Sequence, residues 1–258
     1  MTDAPKISIR GLRKSFGGKD VLKGVDLDLA EGSSLVLIGG SGSGKSVLLK
    51  CVLGLLPPDG GEILIDGVNI ARLSASARAR RTREIGMLFQ ASALFDSLRV
   101  WENVAFRLLH GEGKSRRFAR EKALECLAQV GLPREVGDLQ PSALSGGMQK
   151  RVALARAIAA DPNVLFFDEP TTGLDPITAD VINRLIVERV KAVGATAISI
   201  THDMNSAKRI ADEIAMIYEG RIIWRGPAAA IAQSGNPYVD QFVHGRGEGP
   251  IKMALRAH

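Results

Sequence analysis

The sequence predicts an α/β fold built on a mainly parallel sheet. Three observations carry that prediction. The apolar run Leu35–Ile38 leads into a glycine-rich loop, Gly39–Ser46, and a helical pattern follows at once. Two further short runs, Val164–Phe167 and Thr196–Ile200, have the composition of strands covered on both faces. Between them Val181, Ile182, Leu185, Ile186, Val190 and Val193 recur at helical spacing. Strands alternating with helices favour a parallel sheet, whose ligands lie at the carboxyl ends of its strands.

The elements follow in order. From Ile7 to Val36 apolar and polar residues alternate between glycines, as antiparallel strands do. Val47 to Leu56 reads as a helix stopped by Pro57-Pro58-Asp59-Gly60-Gly61. Glu62–Ile65 is a strand with Asp66-Gly67 as its turn, and Ile85–Phe89 is another. Val100 to Ala159 is mostly helical: Ala123, Leu124, Leu127 and Val130 share one face, and Met148, Val152, Ala155 and Ile158 share another. A helical block between strands predicts an inserted subdomain over about 91–160. Ile214–Tyr218 and Arg221–Trp224 make a hairpin around Glu219-Gly220. Residues 1–244 thus form the folded domain, and 245–258 read as a loosely ordered tail.

A chain of 258 residues with 45% apolar and 24% charged residues is expected to be a soluble globular protein. It has no apolar run of about 18 residues that would cross a membrane, and residues 1–6 show no signal-peptide core. Cys51 and Cys126 sit in helical patterns and read as reduced core thiols. The net charge of +6 suits anionic partners. The basic runs Arg78–Arg83 and Lys114–Arg117 lack the interleaved aromatics of a nucleic-acid platform, so no nucleic-acid partner is expected.

Gly39, Gly40, Ser41, Gly42, Ser43, Gly44, Lys45 and Ser46 fit the pattern G-x-x-x-x-G-K-[ST]. Glycines let backbone N–H groups turn inward around a polyphosphate, and the helix N-terminus adds positive charge. Lys45 can reach the β- and γ-phosphates, and the Ser46 hydroxyl can ligate Mg²⁺. Asp168, at the end of an apolar strand, is placed to hold Mg²⁺, and Glu169 to polarise a water for attack on the γ-phosphate. Gln90, after a strand, can touch Mg²⁺ and sense the γ-phosphate. His202, also after a strand, can bond the γ-phosphate and orient the water. Ser145-Gly146-Gly147 opens a helix, either as a second anion site or as a simple N-cap. Asp175 before Pro176 reads as an N-cap, a role compatible with a further contact. Phe16 can stack on an adenine ring or close a strand end in the core.

In this order the motifs resemble those of the ATP-binding-cassette ATPases along nearly the whole chain: aromatic Phe16, Walker A Gly39–Ser46, the Gln90 loop, signature Leu144–Gln149, Walker B Val164–Asp168, Glu169, the Asp175 loop and His202. The resemblance implies a P-loop NTPase with a RecA-like core, an antiparallel β subdomain and an inserted helical signature subdomain. It implies ATP and Mg²⁺ as ligands and a head-to-tail dimer of two copies. ATP on Lys45 and Ser46 of one chain would be closed over by Ser145 and Gly147 of the other, with Asp175 contacting across the interface. A separate integral-membrane permease would receive the motion.

The stretch Phe89–Val104, Met148 after Ser-Gly-Gly, and the ending Gln241–Ile251 resemble the Mla branch, the phospholipid transport ATPases of Gram-negative bacteria. That branch implies a peripheral subunit on the cytoplasmic face of the inner membrane. Its partners would be a permease, an MCE-domain lipid-binding protein and often a STAS-domain protein. Leu94, Phe95 and Leu98 become candidates for the coupling groove, or else subdomain core. Another cargo (amino acid, amine or lipoprotein) is the alternative. A soluble ATPase of DNA repair or iron–sulfur assembly is the third reading; the compact interval from Gln90 to Ser145 lacks a repair ATPase's insertion.

Overall fold

The computed structural model describes residues 4–82 and 84–252. Arg83 of the basic run and the end of the expected tail, residues 253–258, lie outside the described residues.

The chain runs β1 (Ile7–Phe16), β2 (Lys19–Leu29), β3 (Ser34–Ile38), α1 (Lys45–Val52), β4 (Gly60–Ile65), β5 (Val68–Asn69), α2 (Ala75–Thr82) and β6 (Ile85–Leu88). Then come α3 (Val100–Val104), α4 (Phe106–His110), α5 (Arg116–Gln129), α6 (Gly146–Ile158), β7 (Val164–Asp168), α7 (Pro176–Val193), β8 (Thr196–Ile200), α8 (Met204–Ile210), β9 (Glu213–Tyr218), β10 (Arg221–Pro227) and α9 (Pro237–Val243).

Two sheets form. One is antiparallel, in the order β2-β1-β4-β5; the other has six strands in the order β10-β9-β3-β8-β7-β6. In the second, β6, β7, β8, β3 and β9 are parallel, and β10 returns antiparallel with Arg221 opposite Tyr218. The expected parallel core, antiparallel sheet and hairpin are therefore present. One boundary moves: Ser34–Val36, read with the antiparallel strands, belongs to parallel β3. Burial on both faces removes the polar alternation there.

Alternation along the parallel strands divides the interior in two. Leu35, Leu37, Val164 and Phe166 face a core shared with α1 and the antiparallel sheet. Val36, Ile38, Leu165 and Phe167 face a core shared with the helices α3, α5, α6 and α7. Phe166 and Phe167 are both fully buried, and each side chain contributes about 1.5–3 kcal/mol. Ala123, Leu124, Leu127 and Val130 all enter the helical core, as their spacing predicts.

Helix α1 stops four residues short of the expected Leu56. Gly54 takes φ +67°, its N–H bonds the Cys51 carbonyl at 3.0 Å, and the Leu55 N–H bonds the Lys50 carbonyl at 2.9 Å. This closing turn satisfies the last carbonyls, and a glycine is what lets the backbone reverse there. The first part of the tail is also tied down, contrary to expectation. Gln241 Nε2 donates to the carbonyls of Arg246 and Ile251, each at 3.2 Å, and Gln241 Oε1 accepts from the Ile251 N–H at 2.7 Å. A single buried amide replaces the apolar pattern that the sequence lacks. Among the described residues, no helix is long and apolar enough to cross a membrane.

Candidate functional site

Strand register assembles the site. Leu37 and Asp168 both pair with Ile200, and Leu88 pairs with Phe167. Four parallel strands therefore end together, and the residues that follow them (Gly39, Gln90, Glu169 and His202) meet at one edge. They line a cleft of about 730 Å³ with Gly40, Ser41, Gly42, Lys45, Ser46 and Asp168.

The loop Gly39–Ser46 wraps closely on itself. A Cβ at Gly39 would fall 2.3 Å from the Ile217 carbonyl and 2.9 Å from Ser43 Oγ, and Gly39 has φ +153°. Lys45 Nζ donates to the carbonyls of Gly39 at 2.7 Å and Gly40 at 2.9 Å, which holds the ammonium across the loop. Burial pulls the Lys45 pKa down, and Glu169 and Asp168 oppose that pull. Ser43 is buried with its Oγ unbonded inside the loop, and Gly44 caps α1 with φ +110°.

The acidic pair has distinct surroundings. Burial pushes the Asp168 carboxyl up, Glu169 adds to the rise, and Lys45 and Lys150 counter it. Glu169 sits at φ +49°, a strained value for a non-glycine residue, pinned by its N–H to the Ile200 carbonyl at 2.9 Å. Its Oε2 accepts from Thr172 Oγ1 at 3.0 Å, and its Oε1 lies 2.9 Å from His202 Nδ1. The Glu169 side chain is 12% exposed and that of His202 63%, so the acid is shielded while the imidazole faces the opening.

The residues present fit a Mg²⁺–nucleotide pair. The Ser46 hydroxyl, the Gln90 amide and the Asp168 carboxylate are hard oxygen donors. Among the described residues no cluster of three His, Cys, Asp or Glu side chains is arranged to hold a metal ion by itself. The three oxygen donors leave coordination positions open, which suits a Mg²⁺ that also takes phosphate oxygens and water as ligands.

The remaining expected residues lie elsewhere. Ser145 caps α6, accepting from the Met148 N–H at 3.3 Å, and Asp175 caps α7, accepting from the N–H groups of Ile177 and Thr178 at 3.0 Å. The Thr178 hydroxyl holds the Asp175 carboxyl below its usual range. Ser145, Gly147 and Asp175 line a second cleft of about 460 Å³, apart from Lys45. One chain alone does not bring the two groups together. Phe16 ends β1 with its ring 47% exposed and Lys14 Nζ 5.5 Å from its centroid; it is not part of the strand-end cleft. It is a surface ring, not a core residue. Leu94 packs on the helical core, while exposed Phe95 stacks on Phe106 with centroids 4.6 Å apart.

Sequence reasoning missed Thr172, Lys150 and the C-terminal residues Gln241, Phe242, Arg246 and Ile251, which close one side of the strand-end cleft. The Thr172 hydroxyl, three residues after Glu169, was the one local signal.

Residues 22–172 match the family model described as ABC transporter. The chain belongs to the ABC transporter family. As an ABC cassette it is an ATPase coupled to transport. It is 40% identical to a protein of Mycobacterium leprae named as a probable ribonucleotide transport ATP-binding protein, over 96% of this chain and 71% of that one. It is 37% identical to the intermembrane phospholipid transport system ATP-binding protein MlaF of Escherichia coli, over 97% of this chain and 93% of that protein. Among solved structures it resembles a dimeric ATP-binding cassette in a post-hydrolysis state bound to ADP and Pi. The TM-score is 0.79 and the identity 32%, over 86% of this chain and 98% of that one. This ABC cassette thus has its phosphate loop, acidic pair and His202 in one cleft, and its signature Ser145 in another.

Proposed function

We propose that this cassette powers phospholipid movement between inner and outer membranes, from the cytoplasmic face of the inner membrane. The observation that carries the chemistry is Glu169 held against His202 beside the phosphate loop. The cargo reading rests on the end-to-end similarity to MlaF, whereas the ribonucleotide-named relative extends well beyond this chain.

In this reading the backbone N–H groups of Gly39–Ser46 and Lys45 bind the phosphates of ATP, with Phe16 against the adenine. Ser46, Gln90 and Asp168 would hold Mg²⁺, and the bound cation supplies neutralisation of phosphate charge. Glu169 accepts a proton from water as the water oxygen bonds to the γ-phosphorus. The bond from that phosphorus to the bridging oxygen breaks, leaving ADP and phosphate. His202 keeps the Glu169 carboxylate aimed and contacts the γ-phosphate.

Two copies join head to tail, so Ser145, Gly147 and Asp175 of one complete the site of the other. Residues 1–244 act as the cassette, with 91–160 as its helical subdomain and 245–258 as a tail. An integral-membrane permease docks near Phe95, with an MCE-domain lipid-binding protein and a STAS-domain protein as further partners.

The test is purification of tagged Glu169→Gln protein from detergent-solubilised native membranes, with proteins and lipids identified by mass spectrometry. Recovery of a permease, an MCE-domain protein and phospholipid supports the proposal. A permease with a solute-binding protein moves the cargo to a small molecule. A wholly soluble partner set overturns the transport assignment.

A further inference from the structure

Lys6, Lys14 and Lys150 are each less than 10% exposed. Lys6 reaches the Asp66 carboxylate at 2.7 Å, and Lys14 reaches Asp59 at 2.7 Å. Lys150 differs. Its Nζ donates to two main-chain carbonyls, those of Gln90 at 2.5 Å and Glu169 at 3.4 Å. Among the described residues no carboxylate lies within ion-pair distance of it, and a buried ammonium so placed is a costly way to fill space. Here it joins the two strand-end segments that carry the water-polarising acid and the Mg²⁺-facing amide.

The geometry around it has the same direction. Arg156, further along α6, donates from Nη1 to the Ala93 carbonyl and from Nη2 to the Ser92 carbonyl, both at 2.6 Å. Ser92 and Ala93 have φ of 60° and 49°, two successive left-handed residues that need outside support. Helix α6 also lies directly on β6: a Cβ at Gly86 would fall 2.1 Å from the Ala157 carbonyl. The loop after β6 is therefore fastened to α6 at two points, while α6 begins at Ser145 in the other cleft.

We propose that Lys150 is a positioning residue for hydrolysis, fixing Gln90 relative to Glu169 and linking both to the signature end of α6. Burial lowers its pKa, while Asp168 and Glu169 help keep it charged. The inference rests on the reading of Gln90 and Glu169 given above. Lys150 touches neither nucleotide nor water in that reading, so its effect passes through the two carbonyls it holds.

The experiment uses the tagged transporter complex purified from its own membranes. Lys150→Met keeps the length and removes the donor; Lys150→Gln keeps a neutral donor. The dissociation constant for ATP is measured without turnover, and kcat and the Mg²⁺ concentration for half-maximal rate are measured with it. Lys150→Met is expected to lower kcat at least tenfold and to raise the Mg²⁺ requirement several-fold, with ATP affinity within twofold of wild type. Lys150→Gln is expected to fall between, and it carries the comparison alone should the methionine variant not fold. Adding Lys150→Met to Gln90→Ala should cost little beyond Gln90→Ala itself. A wild-type kcat in the Lys150 variants, fully additive losses, or ATP affinity falling in step with kcat would each overturn the proposal. Gln90→Ala turning over at the wild-type rate would instead sink the site reading on which it rests.

Discussion

His202 Nδ1 lies 2.9 Å from Glu169 Oε1, across a separation of 33 residues. The contact exists because β7 and β8 are adjacent and in register, with Asp168 opposite Ile200. It gives Glu169 a partner for one carboxylate oxygen while Thr172 holds the other. His202→Ala is therefore expected to lower kcat by about 10- to 100-fold, less than the roughly 10²–10⁴-fold that a general base itself contributes. ATP affinity should also fall, through the lost γ-phosphate contact, but by less than kcat. Equal losses of affinity and kcat would count against an orienting role.

Lys45→Ala should act on binding. The ammonium already bridges two loop carbonyls, so it is held where phosphates would approach. Losing a charge-assisted contact costs about 2–3 kcal/mol, or roughly 30- to 150-fold in the dissociation constant for ATP. Calorimetry showing an unchanged constant would remove Lys45 from the phosphate site.

The loop Gly39–Ser46 and the pair Asp168-Glu169 were the easiest candidates to name, because each is a contiguous run directly after an apolar strand. The meeting of Gln90, Glu169 and His202 was legible one step removed: each follows a strand, and parallel strands end on one side. Lys150 was not legible. Nothing in the periodicity of α6 distinguishes it from a solvated lysine, and its partners are 60 and 19 residues away. The tail misled for a related reason: its order depends on one amide, Gln241, and hydrophobic patterning does not register a hydrogen bond. The end of α1 was misplaced although Gly54 announced it, because the apolar residues Leu55 and Leu56 continued the pattern past the glycine.

The loop bearing Phe95 should be set by Asn103. This fully buried amide accepts from the Phe95 N–H at 2.7 Å and donates to the carbonyls of Phe95, Leu98 and Arg99 at 3.1, 3.1 and 3.2 Å. Asn103→Leu would strand those groups and is expected to destabilise the chain by about 3 kcal/mol. Urea unfolding reads this directly, and a loss under about 0.5 kcal/mol would mean that the loop finds other partners.

Cys51 and Cys126 should be silent thiols. Both are buried, and burial pushes each pKa from 9.0 up to about 11. At pH 8 neither should react with a disulfide reagent in the native chain, and both should react in guanidinium. The linkage has a sign: above pH 9 the unfolded thiols ionise and the folded ones do not. Stability present below pH 9 is therefore lost as pH rises toward 11, by up to about 2–3 kcal/mol per thiol. Rapid native labelling at pH 8 would contradict the burial.

Glu169→Gln tests the central claim most directly, because it removes the proposed proton acceptor and keeps the shape of the side chain. ATP binding and hydrolysis are measured on the same preparation. Retained ATP affinity, turnover reduced by a factor of about 10²–10⁴ and a dimer that persists with ATP are the predicted result. Turnover near the wild-type rate would contradict the account, since Glu169 would then not be the group that takes the proton.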